Sequence, residues 1–341
     1  MHKHTILPYH HLGEKVFAPI LTANVNWLKS VAMSEQYDLI CFGARDGYVV
    51  KEAFDESECS VLSKYLYGSR AAYYLAAITD ERDWLFEKVF QIPQDQTVDS
   101  VLNRLCLWTD NDIQQDLKPY LGIRLKNLSE FEYLYLREKV WAALVKHSSA
   151  YRETIRHYWR HEGLEHKKVF FWDAGWNGTQ ARAIEKIVDL LEFPINIDFG
   201  FFHLIDLASS SDWRSNYSTC ISNSDLSTND KEGLYKAIPL LDTFFSAPEP
   251  SVLMFTADSS RFVTYDHVGN SNWQYVSEIQ RGALDGLLHT CPGTAPKCIE
   301  PLLALVNNPS SYDLSLFSAL NCSTAYGTEK YNKSLRATVW G

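Results

Sequence analysis

Excess positive charge is missing from this chain. Its 341 residues carry 32 Lys and Arg against 42 Asp and Glu, a net charge of -10 at pH 7. The clustered cations of a protein that coats nucleic acid are therefore lacking, and no nucleic-acid partner is expected. Any anion must be caught at a local site. Long hydrophobic runs are missing too: no stretch approaches membrane-spanning length, and Met1-His2-Lys3-His4 does not lead into the apolar core of a signal peptide. The cysteines lack pattern. There are seven, Cys41, Cys59, Cys106, Cys220, Cys291, Cys298 and Cys322, with no C-x-x-C pair. That fits buried thiols in a reducing cytoplasm better than a disulfide framework or a structural zinc. Also absent are a P-loop, a dinucleotide G-x-G-x-x-G, an H-E-x-x-H and a Ser-His-Asp signature. No internal repeat or low-complexity segment is visible. The expectation is a soluble cytoplasmic protein, long for one domain, so that one elaborated domain or two are both open.

What is present is a globular composition, 46% hydrophobic and 22% charged, with 10 Trp and 19 Tyr. So many aromatic rings suit a sugar-binding cleft and a thick core equally. The organising stretch is Lys168-Val169-Phe170-Phe171-Trp172-Asp173-Ala174-Gly175-Trp176-Asn177-Gly178-Thr179-Gln180, followed by apolar residues Ile184, Ile187, Val188 and Leu191 at helical spacing. It reads as strand, loop, helix. A helix N-terminus has N–H groups without internal partners and a mildly positive dipole, so a phosphate fits there. Gly175 and Gly178 allow close approach of the backbone and Thr179 adds a hydroxyl. Asp173 can accept hydrogen bonds from sugar hydroxyls beside the phosphate. The plain alternative is an ordinary strand-to-helix connection capped by Asn177.

A second loop of the same kind shifts the balance. The strand Asp38-Leu39-Ile40-Cys41-Phe42-Gly43 runs into Ala44-Arg45-Asp46-Gly47-Tyr48 and then a helical pattern. Two such strand ends on one side of a parallel sheet converge on one crevice. This loop suits a second anion, held by backbone N–H groups with Arg45 or a metal ion supplying charge; alone it reads as a solvated Arg45/Asp46 turn. Val61 to Tyr67 predicts a further strand, leading to Gly68-Ser69-Arg70, which would put Arg70 at the same sheet edge.

The remaining text divides readily. An apolar helix begins near Pro19. His2, His4, His10 and His11, without spaced acidic or thiol partners, read as a flexible N-terminal arm. From about Asp80 to His166 the pattern is helical, with a capping box at Ser129-Glu130-Phe131-Glu132 and a second helix over roughly Ser149 to Glu162. The basic residues Arg152, Arg156, His157, Arg160 and His161 read as a solvated helix face. A strand is predicted from Asn196 to Ile205 and a loop at Ala208 to Ser211. Mainly helices follow, near Lys231 to Phe245, Tyr275 to His289, Ile299 to Val306 and Asp313 to Leu320. The acids Asp242 and Glu249 flank the Pro-stopped segment Leu241 to Ser251, either in plain surface positions or as a general base. The domain reading is a helical arm at 1–35, an α/β core at 36–79 and 166–225, a helical insertion at 80–165 and a mainly helical region at 226–341.

Two anion loops and a sugar-binding acid describe a site for a ribose carrying phosphate at one end and pyrophosphate at the other. Phe171-Trp172-Asp173-Ala174-Gly175-Trp176-Asn177-Gly178-Thr179 resembles the phosphoribosyl-pyrophosphate motif of type I phosphoribosyltransferases, and Gly43-Ala44-Arg45-Asp46-Gly47 resembles their pyrophosphate loop. With S-R-A after the next strand and S-A-P-x-P-S later, residues 13 to 255 resemble bacterial glycan phosphoribosyltransferases of polysaccharide gene clusters. The resemblance implies a parallel sheet with helices on both faces. It also implies transfer of 5-phosphoribosyl from phosphoribosyl pyrophosphate to a hydroxyl of a lipid-linked glycan, with inversion at C1. Magnesium would be bound mainly through the donor pyrophosphate, and the place would be the cytoplasm or the inner face of the plasma membrane.

On this resemblance, Ala44, Arg45, Asp46, Gly47, Tyr48 and Arg70 belong to the donor pyrophosphate side. Asp173 belongs to the ribose and Gly175, Asn177, Gly178, Thr179 and Gln180 to the 5-phosphate. The catalytic candidates are Asp46, Asp173 and Asp242, with Asp46 or Asp242 as base. The pattern departs from the usual one because Ala174 stands where a second acid is common. The D-x-D of a haloacid dehalogenase-type phosphatase is missing, so a separate phosphatase partner is implied. Two other classes stay open: a non-catalytic sugar-phosphate-binding scaffold, and a nucleotide-sugar glycosyltransferase.

Overall fold

A computed structural model describes residues 3–205, 213–256, 258, 262–264, 272–287, 295–322 and 333–341. The chain begins with α1 (Lys3–Leu12), passes through a π-helical turn (Gly13–Phe17) and continues as α2 (Ala18–Glu35). The N-terminal segment is thus packed helix rather than a flexible arm: Tyr9, Leu12, Val16 and Phe17 are buried. Next come β1 (Leu39–Gly43), α3 (Tyr48–Glu56), β2 (Leu62–Leu66) and α4 (Arg70–Ala77). The insertion supplies α5 (Trp84–Val89), α6 (Val98–Arg104), α7 (Asn111–Leu117) and α8 (Glu130–His161).

Helix α8 is one continuous helix where two were expected from the sequence. It opens on the Ser129 capping box, with both reciprocal hydrogen bonds made between Ser129 and Glu132. It runs through Ser148-Ser149 because Ser148, a residue that can favour turns, is buried and its hydroxyl donates to the Val145 carbonyl at 2.9 Å. Of its basic residues, His157, Arg160 and His161 are exposed, as a solvated face requires, whereas Arg152 is held in the fold, donating to the carbonyls of Ala76 and Ile78 at 2.9 and 2.7 Å. Arg156 pairs with Glu153 and Arg160 with Glu165.

After α8 come β3 (Lys168–Trp176), α9 (Thr179–Leu191), β4 (Asn196–Leu204), β5 (Tyr217–Ile221) and α10 (Thr228–Phe245). The expected loop at Ala208 to Ser211 lies outside the described residues. A hairpin of β6 (Val252–Phe255) and β7 (Phe262–Thr264) precedes α11 (Trp273–Leu287) and α12 (Glu300–Asn307). The end of the expected helix at His289 lies outside the described residues. The expected helix over Asp313 to Leu320 is instead a single 3-10 turn at Leu316–Ser318. Short strands β8 (Asn321–Cys322) and β9 (Lys333–Ser334) and helix α13 (Leu335–Val339) complete the chain.

The main sheet is parallel throughout, in the order β2-β1-β3-β4-β5. Buried on both faces, its central strands are nearly continuous apolar runs, as parallel sheets require. Alternate side chains then feed two cores. Leu39, Cys41, Val169, Phe171 and Phe199 join α4, α8 and α9 on one face. Ile40, Phe42, Phe170, Trp172 and Phe202 join α2, α3, α10 and α11 on the other. Trp172 is fully buried, and its indole N–H donates to Asn24 on α2 at 3.2 Å. This is an α/β fold with helices on both faces, a helical insertion and a mainly helical C-terminal region. Edge strand β5 escapes a sequence reading because only its last two residues are buried and Tyr217-Ser218-Thr219 shows no apolar run.

Strand order places the site. From β1 the chain crosses through α3 to β2 on one side, and from β3 through α9 to β4 on the other. The direction of winding therefore reverses between β1 and β3, and ligands of open α/β sheets bind outside the C-terminal ends of strands at such a reversal. Phe42 pairs with Trp172, so the loops that follow Gly43 and Asp173 leave the sheet at the same level.

Candidate functional site

The β1 loop is a tight turn. Gly47 N–H donates to the Gly43 carbonyl at 2.8 Å, Ala44 N–H to Leu66 at 2.9 Å and Tyr48 N–H to Arg45 at 3.1 Å; the Ala44-Arg45 peptide is cis. Helix α3 starts directly from Gly47, which offers no side-chain cap. The β3 loop is built alike. Gly175 has φ +104 and lies so close to β4 that a Cβ there would stand 2.3 Å from the His203 carbonyl oxygen. Gly178, at φ +60, is the N-cap of α9, again without a side-chain cap. A non-glycine residue is strained in either conformation. Neither helix at the reversal point has a capping side chain, although Ala44, Gly47 and Tyr48 already donate their N–H groups to carbonyls; Ser69, by contrast, caps α4 beside them through Ala72 N–H at 3.2 Å.

Three carboxylates from three parts of the chain meet here. Asp46 comes from the β1 loop, Asp173 from the end of β3 and Asp242 from the last turns of α10. Gly175 N–H donates to Asp173 Oδ1 at 2.8 Å, and the Trp176 indole N–H donates to Asp242 Oδ1 at 2.7 Å. All three are half-buried, and Arg70, the first residue of α4, is exposed. The three acids thus stand on the floor of an open crevice with Arg70 at its rim. Burial pushes the Asp173 carboxyl up to about 7, and the Asp46 charge adds to the shift against the Gly175 hydrogen bond and Arg70. Burial and Asp46 likewise push Asp242 up to about 7, against the Trp176 hydrogen bond, Arg70 and Arg45. Burial raises Asp46 too, with Arg45 and Arg70 opposing. For Arg70, burial disfavours the cation, but Tyr74, Asp242, Asp46 and Asp173 together outweigh it and raise its pKa. The site is a cluster of acids that repel one another around shared arginines.

No protein-family model matches the chain, and no curated protein matches it in sequence. The chemistry is therefore read from the residues themselves.

The sequence-predicted residues fall into two groups. Arg45, Asp46, Arg70, Asp173 and Asp242 lie within electrostatic reach of one another. Ala44, Gly47, Gly175 and Gly178 shape the two loops, and Asn177 is exposed at the outer turn. Thr179 and Gln180 are each 8% exposed and turned inward. The Tyr74 phenol stands next to the Thr179 hydroxyl, so Thr179 can offer an anion both its hydroxyl and its main-chain N–H. The Gln180 amide lies against Gly43, where a Cβ would stand 3.1 Å from it, and so braces one loop against the other. The Tyr48 ring packs edge-on to Tyr65 and Trp273, with ring centres 6.1 and 5.6 Å away.

One site residue, Tyr74, was not singled out from the sequence, and the role of the segment after α10 was not seen. Tyr74 stands one helical turn beyond Arg70 and touches it electrostatically as well as Thr179; the four-residue spacing was the available signal. The segment from Ser246 to Val252 crosses the sheet edge and is tied down three times. Arg45 donates to the Ser251 hydroxyl at 3.0 Å, Ser69 to the Val252 carbonyl and Tyr65 to the Glu249 carboxylate. Glu249 is a half-buried loop acid that accepts a hydrogen bond from Tyr65.

Among the described residues, His10, His11 and Glu14 form a group of metal-type ligands whose atoms lie within 4.8 Å of one another. The sequence reading gave these histidines no acidic partner; Glu14, three residues past His11, is one at 3.4 Å. His10 is also bonded to Asp285 at 2.8 Å. The described cysteines, Cys41, Cys59, Cys106, Cys220 and Cys298, are free thiols, and no described helix is long and apolar enough to cross a membrane.

Proposed function

We propose that this chain transfers a 5-phosphoribosyl group from phosphoribosyl pyrophosphate to a hydroxyl of a glycan acceptor, as a member of the bacterial glycan phosphoribosyltransferases. One observation carries the reading. Two glycine loops, each opening a helix without a side-chain cap, leave adjacent parallel strands at the winding reversal, with Arg45, Arg70, Asp46, Asp173 and Asp242 between them. That combination suits a ligand with an anion at each end and a polyol between.

In this reading the N-terminus of α9, from Gly178 through Gln180, receives the 5-phosphate. Asp173, held by Gly175 N–H, accepts hydrogen bonds from the ribose hydroxyls. The turn from Ala44 to Tyr48 receives the pyrophosphate, with Arg45 and Arg70 countering its charge. The donor set is hard carboxylate oxygen with excess negative charge, which suits magnesium carried in on the pyrophosphate beside Asp46. When bound, magnesium supplies neutralisation of the leaving group. The acceptor oxygen forms the new bond to C1 on the face opposite the departing pyrophosphate, the C1–O bond to pyrophosphate breaks, and the hydroxyl proton goes to a carboxylate. Asp242 suits that last role: it lies outside both donor loops, Trp176 orients it, and a carboxyl raised to about 7 is matched to proton transfer at neutral pH. A lipid-linked acceptor, a place in the cytoplasm or at the inner face of the plasma membrane, and a separate phosphatase all belong to the same proposal.

The test measures pyrophosphate release from phosphoribosyl pyrophosphate and magnesium, with and without cytoplasmic glycan extracts, for the protein and for Asp173→Ala. Acceptor-dependent release that the variant loses is the expected outcome. Binding of the donor without release would favour a scaffold, release from a nucleotide sugar alone would favour the other transferase class, and neither binding nor release would overturn the reading.

A further inference from the structure

A second group of side chains stands beside the donor crevice, on its β2 side. Tyr65 on β2 packs edge-on to Tyr48 at 6.1 Å and to Tyr67 at 5.4 Å between ring centres, and Tyr48 packs edge-on to Trp273 at 5.6 Å. Tyr67 is 38% exposed. Glu249 reaches into this group and accepts the Tyr65 hydroxyl. Its position next to the donor site follows from the chain itself: Glu249 is two residues from Ser251, whose hydroxyl accepts from Arg45, a span of roughly 7 Å at most. The Asp46 charge also acts on the Tyr65 phenol.

We infer that Tyr48, Tyr65, Tyr67, Trp273 and Glu249 form a subsite for the neutral sugar ring that receives the transferred group, with Glu249 accepting hydrogen bonds from its hydroxyls. The inference rests on the transferase reading for its direction of use, but the subsite has its own chemistry. Flat phenol and indole rings cover the C–H face of a pyranose or furanose. A carboxylate is an acceptor with four lone-pair positions and suits a polyol. Among the described residues, Glu52, Glu249 and Asp46, all acids, act on Tyr48, Tyr65 and Tyr67, which disfavours a second phosphate or a sugar acid. Arg45 and Arg70 act on the carboxylates of the donor crevice, and Arg45 meets this neighbour through the Ser251 hydroxyl. The tether from Ser251 to Arg45 fixes the separation between the two halves.

Saturation-transfer NMR on the full chain tests this with methyl glycopyranosides of glucose, galactose, mannose, N-acetylglucosamine and N-acetylgalactosamine, each with and without magnesium phosphoribosyl pyrophosphate. Tyr67→Ala, Tyr67→Phe and Glu249→Gln are compared, and donor affinity is measured for each by calorimetry. The expected result is transfer to the ring protons of at least one glycoside, weakened about tenfold by Tyr67→Ala and Glu249→Gln and retained by Tyr67→Phe. Donor affinity should stay within about twofold of wild type, which also shows the variants folded. No transfer from any glycoside in either condition overturns the subsite, as does transfer that survives both substitutions. Preferential binding of tetramethylammonium at the same residues would overturn it as well, marking a cation site. Tyr67-dependent glycoside binding in a protein that does not bind the donor would sustain the sugar subsite while removing the transferase reading.

Discussion

Replacing Asp242 with Asn removes one of three mutually repelling carboxylates. It keeps the shape of the side chain and an oxygen that accepts the Trp176 indole N–H. An aspartate ionises near 3.8 in an unfolded chain, whereas burial and the Asp46 charge push Asp242 up to about 7 in the folded protein. The folded state therefore holds the proton more tightly than the unfolded state, and ionisation subtracts from stability. The subtraction starts as pH rises past about 4 and is complete above about 7. For a dry site the difference would be roughly 4 kcal/mol; for a half-buried group screened by water it is about 1–2 kcal/mol. Asp242→Asn should thus unfold later than wild type at pH 7.5, by about 1.5–3 °C for a chain of this size. The gap should narrow steadily as pH falls toward 5. Asp173, whose carboxyl is raised in part by Asp242, should titrate lower in the variant. Turnover should fall by about 10²- to 10⁴-fold if the carboxylate takes the acceptor proton. Urea titrations of both proteins from pH 5 to 8, with the transfer assay alongside, measure each part. A variant less stable than wild type at pH 7.5, or a gap that does not depend on pH, refutes the electrostatic account of the crevice.

The other expectations concern the crevice frame. Arg70→Ala removes a cation that lowers all three carboxyls, so donor affinity measured by calorimetry should weaken about 10- to 100-fold; a change within twofold would put Arg70 outside the donor site. Gly175→Ala asks a residue with a Cβ to take φ +104 with that atom 2.3 Å from the His203 carbonyl oxygen. A loss of roughly 2–4 kcal/mol in urea denaturation is expected, together with loss of donor binding. A loss below about 1 kcal/mol would show that the loop relaxes freely.

By itself the sequence determined what is local. Apolar runs ending in Gly43 and Asp173, each followed by a glycine turn and a 3.6-residue pattern, specify strand, loop and helix because their periods and turn residues admit little else. Near-continuous burial of β1 and β3 was legible for the same reason: only a sheet covered on both faces tolerates such runs. The tertiary structure decided what depends on distant pairing. Edge strand β5 exists because β4 offers it a ladder, not because Tyr217 to Ile221 has a pattern of its own. Helix α8 runs through its serines because packing buries Ser148 and its hydroxyl donates to the Val145 carbonyl. Asp242 becomes a site residue only when α10 packs on the face opposite α9 and meets Trp176, 66 residues earlier in the chain. Its raised pKa, like that of Asp173, comes from burial and from neighbours on other elements, and no sequence window contains either. The chemistry of each side chain was written in the sequence; which of them share a crevice was settled by the order of strands in the sheet.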